Sequence, residues 1–374
     1  MKTILFFIGT RPEAIKIAPL ILECKKRKDI RIQVCSTEQH IELLHPILNF
    51  FDIKPDYSLQ VMDTNQTLTS LTTSLLNKSG NLLSKTKPDM VVVQGDTTTA
   101  MTSALASFYQ QIPIAHVEAG LRSFNKQSPF PEEANRKIIS TVADLHFPPT
   151  QKAQDNLETE GIVKHHPIVG NTVIDALDYG LDIIKNKQSK EIVNFFLNKK
   201  IDTTKEFILV TSHRRENFGE PFKQICNALK RIALLYPDTR IVYPVHLNPN
   251  VQNQVYKLLD NQSNITLIDP LNYPHLIYLM KHCKIILTDS GGIQEEAPSL
   301  GKPVIVLREL TERTEGIDAG TALLAGTNEN KIVSLVQFLL DNPENYKNIA
   351  QKNNPYGDGK SAKLIIDYIQ KWLK

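Results

Sequence analysis

The stretch Ile285-Ile286-Leu287-Thr288-Asp289-Ser290-Gly291-Gly292-Ile293-Gln294-Glu295-Glu296, continuing through Ala297 to Pro303, reads as an apolar strand that ends in a Ser-Gly-Gly turn and opens a helix. An apolar run without polar alternation marks a parallel strand covered on both faces, so this segment points to an α/β fold. Its turn suits an anion, because glycines let backbone approach a ligand and the N–H groups of a helix start attract negative charge. Glu295 and Glu296 stand one turn further in, where a carboxylate repels phosphate but accepts hydrogen bonds from sugar hydroxyls. Together they suggest a nucleotide. The same residues also fit an ordinary turn followed by acids that complement a helix dipole, so the other strand ends must decide.

Short β-type runs alternate with helical stretches along the whole chain. Candidate strands are Thr3–Ile8, Ile30–Cys35, Met90–Gln94, Ile114–Val117, Leu145–Phe147, Phe207–Thr211, Ile241–Pro244, Ile265–Ile268, Ile285–Thr288 and Val304–Leu307. This is a doubly wound α/β pattern written twice, and 374 residues exceed the usual size of one core. Polar stretches at Lys185–Lys190 and Asn198–Lys205 flank a short helix and put the boundary between about Asn171 and Lys205. The expected division is a first Rossmann-like domain over residues 1–175 and a second over 176–360. An amphipathic last helix, within residues 361–374, is expected to pack back on the first.

Composition excludes several classes. Hydrophobic content of 41%, 22% charge and a net charge of +3, with no basic block interleaved with aromatics, make no case for nucleic acid. Cys24, Cys35, Cys226 and Cys283 form no Cys-x-x-Cys pair, which argues against a zinc site or a disulfide framework. No apolar run approaches the ~20 residues of a membrane span, and Ile4–Ile8 is too short for a signal-peptide core. No metal and no membrane partner are expected, and a cytoplasmic location is.

The strand ends carry the chemistry, because open parallel sheets bind ligands beyond the carboxyl ends of their strands. The first strand is followed by Gly9-Thr10-Arg11-Pro12-Glu13-Ala14-Ile15-Lys16, a later one by Gly95-Asp96-Thr97-Thr98-Thr99, and the next spells His116-Val117-Glu118-Ala119-Gly120-Leu121-Arg122. The second half supplies Ser212-His213-Arg214-Arg215 and His246. An Asp after a strand is commonly a helix cap, and a lone His there is commonly a core residue. A helix start contributes roughly 0.3–1 kcal/mol toward an anion, whereas micromolar binding needs about 8 kcal/mol. A diphosphate therefore needs cations, and Arg11, Lys16, Arg215 and Arg313 are the candidates.

Gly9–Lys16, Gly95–Thr99, His116–Arg122, Ser128–Arg136, Val169–Ala176, Thr211–Gly219 and Thr288–Glu309, in that order, resemble the non-hydrolysing UDP-N-acetylglucosamine 2-epimerases over almost the full chain. The resemblance implies a GT-B arrangement of two Rossmann-like domains with the active site in the interdomain cleft, a homodimer, and a role in supplying surface polysaccharide. It implies inversion at C2 by anti-elimination of UDP to 2-acetamidoglucal and re-addition, without a cofactor. That route is chemically sensible, since the C2 hydrogen has no carbonyl beside it and departure of UDP must lead. Transient oxidation by NAD is disfavoured, as no Gly-x-Gly-x-x-Gly fingerprint occurs.

Carried over position by position, Asp96, Glu118 and Glu132 match the family's catalytic carboxylates and His213 its active-site histidine. Arg11 and Lys16 match substrate-binding positions, Ser290, Gly291 and Gly292 the diphosphate contacts, Glu296 the ribose contact and Arg313 a further nucleotide contact. The chain departs from the family pattern at Leu271 and Leu276, where Gln and an aromatic are common, and at Thr314, where Pro is usual. Gln39-His40 resembles the regulatory nucleotide-sugar site of some members, but Ile41, Glu42 and Asn65 replace residues usually polar or basic there. Three other enzymes stand as alternatives: a 2-epimerase of a modified UDP-sugar such as a diacetamido-uronate, whose relatives Ser123-Phe124-Asn125 resembles; a hydrolysing 2-epimerase, against which Pro12-Glu13-Ala14-Ile15-Lys16 speaks; and a GT-B glycosyltransferase, which shares the fold and the UDP site. A nucleotide-sugar sensor without turnover is the non-enzymatic alternative.

Overall fold

The structure is a computed structural model and describes residues 1–39, 41–63, 66–163 and 167–374, so His40 and Asn65 of the possible regulatory site lie outside the described residues. The first sheet comprises β1 (Lys2–Ile8), β2 (Ile30–Ser36), β3 (Tyr57–Ser58), β4 (Met90–Gln94), β5 (Ile114–Val117) and β6 (Leu145–Phe147). Their spatial order is β3-β2-β1-β4-β5-β6, and every pairing is parallel. The second sheet comprises β7 (Phe207–Thr211), β8 (Arg240–Pro244), β9 (Ile265–Ile268), β10 (Ile285–Thr288), β11 (Val304–Val306) and β12 (Ala322–Leu324). Its order, β12-β11-β10-β7-β8-β9, is the same topology, again all parallel.

The central strands are buried because they are apolar on both faces. Ile4 to Ile8, Met90 to Val93 and Ile285 to Leu287 are essentially inaccessible, covered by helices that cross between successive strands. In each sheet the chain runs outward in one direction from the first strand and in the other from the fourth. A crevice therefore opens between the carboxyl ends of β1 and β4, and of β7 and β10, where the crossing helices diverge.

Chain contacts divide the molecule into two compact units, Met1–Tyr179 with Tyr356–Lys374, and Gly180–Pro355. The return to the first unit comes earlier than the Ser361 expected from amphipathicity, because Asn171 N–H donates to the Tyr356 carbonyl (2.6 Å). Gly170, at φ +82°, lies against this crossing, and a Cβ there would stand 2.6 Å from Ser361 Oγ. The helix Ser361–Trp372 is held by an Arg27–Asp367 ion pair (2.7 Å) and by Gln370 donating to Asp29 (2.6 Å). Its first turn is closed by Asp175, which accepts from Ala362 N–H (2.8 Å) and whose carboxyl burial pushes up to about 6.

Two strands escape the sequence pattern. β3 and β12 are edge strands of two and three residues, too short to show a period. The polar stretch Lys185–Lys190 is not a loop either: Ile184–Gln188 form a wide helical turn leading into the helix Ser189–Asn198.

Candidate active site

In the first unit the carboxyl ends of β1, β4 and β5 carry a compact polar cluster. Glu118, the first residue past β5, is buried at φ +64°. Its carboxylate accepts from Lys16 Nζ (2.5 Å), Asn171 Nδ2 (3.2 Å) and Gln94 Nε2. A Cβ built on Gly95 would lie 3.7 Å from Glu118 Oε2, so this carboxylate sits beside the turn that carries Asp96.

Asp96 is not the helix cap that its position after a strand permits. Thr97 takes that place, its hydroxyl accepting from Ala100 N–H (3.0 Å) at the head of the helix Thr98–Tyr109. The Asp96 carboxylate instead receives a forked contact from the Arg136 guanidinium, at 2.8 Å to Nε and 2.7 Å to the terminal nitrogen. Its backbone carbonyl accepts from Asn135 Nδ2 (2.8 Å). Both partners belong to the helix Glu132–Val142, which therefore brings Glu132 at its first turn to the same cluster. Glu132 Oε2 is buried with no hydrogen-bond partner, a costly state for a carboxylate oxygen unless something else meets it. Glu133, fully buried, accepts instead from Ser123 N–H (2.9 Å) and Phe124 N–H (3.0 Å) and so ties the loop after Arg122 to this helix.

Arg11 is the first residue of the helix Arg11–Cys24, partly buried, and Lys16 lies one turn further along it. Glu13 between them escaped sequence reading. It is 1% exposed, and one of its oxygens accepts from Gly9 N–H (3.1 Å), Thr10 N–H (2.7 Å) and Thr10 Oγ1 (2.8 Å). Its other oxygen accepts from Thr97 Oγ1 (2.7 Å), so one carboxyl joins the turns after β1 and β4. Burial raises its pKa to about 7 against these hydrogen bonds. His116 is a second such residue. Burial pushes its imidazole down to about 3, so it is neutral, and its Nε2–H donates to the Gly95 carbonyl (2.8 Å).

In the second unit, the Ser-Gly-Gly turn follows β10 as expected, with Ser290 at the cap position of the helix Gly291–Glu296. Glu295 and Glu296 end that six-residue helix, so they do not complement its dipole start. Glu295 pairs with Arg313 Nε (2.7 Å), and Glu296, 6% exposed, accepts from Tyr273 OH (3.2 Å). A Cβ at Gly291 would stand 3.4 Å from the Arg313 guanidinium carbon, which puts that cation over the glycine turn; at Gly292 it would lie 4.0 Å from Glu296 Oε2. Arg215, by contrast, is exposed in the 3-10 turn Arg215–Asn217.

His213 follows β7, the strand beside β10. Its ring stacks on His246 with centroids 5.0 Å apart and planes 10° off parallel. Burial lowers its pKa, with the charge of Asp289 opposing and those of His246 and Arg214 adding. Asp289, which follows β10 and looks in sequence like an ordinary turn residue, is fully buried. Its Oδ2 accepts from Ser212 Oγ (2.8 Å), His213 N–H (2.8 Å), Arg214 N–H (2.8 Å) and Asn217 Nδ2 (3.3 Å). Among the described residues no group of His, Cys, Asp and Glu gathers as a metal would need, and no helix is long and apolar enough to cross a membrane.

The candidate residues thus fall into two sets, Arg11, Lys16, Asp96, Glu118 and Glu132 in the first unit, and His213, Ser290, Gly291, Gly292, Glu296 and Arg313 in the second. Two doubly wound units of this kind make the chain an α/β protein of the GT-B type, as its structural neighbours are. A crystal structure of UDP-GlcNAc 2-epimerase from Neisseria meningitidis bound to UDP-GlcNAc is similar to it with a TM-score of 0.89 and 46% identity, covering 99% of this chain and 100% of that one. The structure of UDP-GlcNAc 2-epimerase from Methanocaldococcus jannaschii reaches a TM-score of 0.86 at 33% identity, covering 99% of this chain and 100% of that one. The UDP-N-acetylglucosamine 2-epimerase of Campylobacter jejuni is 53% identical over 375 residues, 99% of this chain and 98% of its own. The family model described as UDP-N-acetylglucosamine 2-epimerase matches residues 22–370. The chain belongs to this family of isomerases.

Proposed function

We propose that the chain interconverts UDP-N-acetylglucosamine and UDP-N-acetylmannosamine by anti-elimination and re-addition. A carboxylate takes the C2 proton as the bond from C1 to the UDP oxygen breaks, giving 2-acetamidoglucal and UDP. In the return step the UDP oxygen re-forms its bond to C1 and a carboxylic acid delivers a proton to the other face of C2. Proton abstraction alone is out of reach of a carboxylate, so the leaving group's negative charge and the ring's transient positive charge must be stabilised together. Two of Asp96, Glu118 and Glu132 handle the proton on opposite faces and the third stabilises charge. Lys16 and Arg11 bind substrate, Ser290, Gly291, Gly292 and Arg313 bind the diphosphate end, Glu296 takes the ribose and His213 meets the leaving group.

The observation that carries this reading is the pairing of contents at two switch points of identical topology. One holds three acids, two of them matched by cations and the third, Glu132, with an unpartnered oxygen, and the other a glycine turn under an arginine. The Neisseria relative, bound to UDP-GlcNAc, supports the substrate. The reading includes two Rossmann-like domains, residues 1–175 with 361–374 and residues 176–360, each contributing part of the substrate's contacts, in a cytoplasmic homodimer. Proton NMR of UDP-N-acetylglucosamine with the protein in deuterium oxide tests it. Deuterium is expected at C2 of an interconverting pair; epimerisation without deuterium refutes elimination, and stoichiometric release of UDP with free N-acetylmannosamine refutes the non-hydrolysing assignment.

A further inference from the structure

Asp289 is the most completely enclosed acid of the second unit's switch point, and its two oxygens are used unequally. Oδ2 takes four donors, three of them from the turn Ser212-His213-Arg214. Oδ1 is buried with no hydrogen-bond partner and lies 3.7 Å from Nδ1 of His213, an ion-pair distance rather than a hydrogen bond. A buried carboxylate oxygen without a donor is costly, and the Nδ1–H of this imidazole is the donor within reach. The backbone of His213 is already held by Oδ2, so only the ring has to turn for the second contact to close. On its other side the ring is confined by the stacked His246.

We propose that Asp289 is a positioning residue for His213. Its Oδ1 accepts from Nδ1–H, and Nε2 is thereby the ring nitrogen that meets the departing diphosphate, an inference that rests on the role given to His213 above. The carboxylate also favours the imidazolium, which pairs with the negative charge that builds on UDP as its bond to C1 breaks. The charged and titratable groups facing the ring are Asp289, His246 and Arg214, and Asp289 is the one acid among them. The ring takes up a second proton, on Nε2, as the diphosphate binds, so the leaving oxygen meets a cation from the same turn whose backbone the acid organises.

The test is the ring state of His213 in the full chain, read by NMR after labelling with ¹⁵N-histidine and assigned by the signal lost in His213→Gln. Wild type is expected to carry hydrogen on Nδ1 at neutral pH, alone in the free protein and together with hydrogen on Nε2 once UDP is bound; a ring with hydrogen on Nε2 alone in either state overturns the proposal with no variant required. In Asp289→Asn the amide oxygen can keep the backbone N–H groups, which leaves the amide NH₂ facing Nδ1 and forces hydrogen onto Nε2. The tautomer is therefore expected to invert, the titration of His213 to move down by about one pH unit, and kcat to fall by about 10²-fold. A loss of activity with an unchanged tautomer and titration means that Asp289 only folds the loop, and overturns the proposal. So does an inverted tautomer with unchanged kcat. Full activity in His213→Gln sinks the role of His213 itself, and the positioning role with it.

Discussion

The two units share one strand order but differ in what stands at its switch point. In the first, β1 and β4 end in a buried acid network in which Glu13 joins the turns and Glu118 is met by Lys16. In the second, β7 and β10 end in a glycine turn under Arg313 and a histidine loop wrapped on Asp289. The topology guarantees a crevice and says nothing about its contents. The side chains at a few strand ends do, and under the proposed function their difference gives proton chemistry to one unit and the handling of a phosphate-bearing leaving group to the other.

The sharpest way to break this division is to damage each side separately. Glu132→Gln should lower kcat by 10²–10⁴-fold while leaving the affinity for UDP and the melting temperature nearly unchanged, because Glu132 Oε2 has no partner to lose. Glu118→Gln should cost as much in kcat and also destabilise the protein, since it strips Lys16 of a buried partner. Arg313→Ala should do the reverse, weakening UDP binding by about 1.5–3 kcal/mol in calorimetry. Equal loss of UDP affinity in Glu132→Gln and Arg313→Ala would dissolve the contrast.

Stability against pH separates the units next. The Glu13 carboxyl, raised from 4.5 to about 7, binds its proton more tightly folded than unfolded. The stability it contributes is full below pH 4.5 and is lost as pH rises through 7, on the order of 3 kcal/mol by linkage. Glu13→Gln can keep its oxygen toward Gly9 and Thr10 and donate to Thr97, so denaturant unfolding should lose that slope between pH 4.5 and 7. An unchanged slope would show that Glu13 does not ionise in this range.

The smallest effect belongs to the second unit. Tyr243 is fully buried, burial pushes its phenol well above the ordinary value, and its hydroxyl donates to the Ser212 carbonyl (2.7 Å). Tyr243→Phe should cost about 1 kcal/mol of stability, and kcat should fall only as far as His213 is displaced. A larger loss of kcat than of stability would mean that the loop is held from β8 as well as by Asp289.

Much of the molecule was legible beforehand. The interior strands announced themselves as unbroken apolar runs, and seven ordered motifs carried the family. β3 and β12 were not legible, since Tyr57-Ser58 is too short to show a period and Ala322-Leu323-Leu324 suits a helix as well as a strand. The same limit hid Glu13, Arg136 and Asp289. Glu13 looks like any acid in a first helical turn, Arg136 like a surface helix cation, and Asp289 like a turn residue.

Local sequence determined which segments are strands, where the glycine turn falls and which acids stand at strand ends, because burial on both faces and backbone freedom are properties of the residues themselves. Only the tertiary structure decided which of those acids are matched by cations and which oxygens lack a partner. Pairings such as Asp96 with Arg136, or Asp289 with the His213 turn, join residues far apart in the chain. They exist only once parallel strands bring their carboxyl ends side by side.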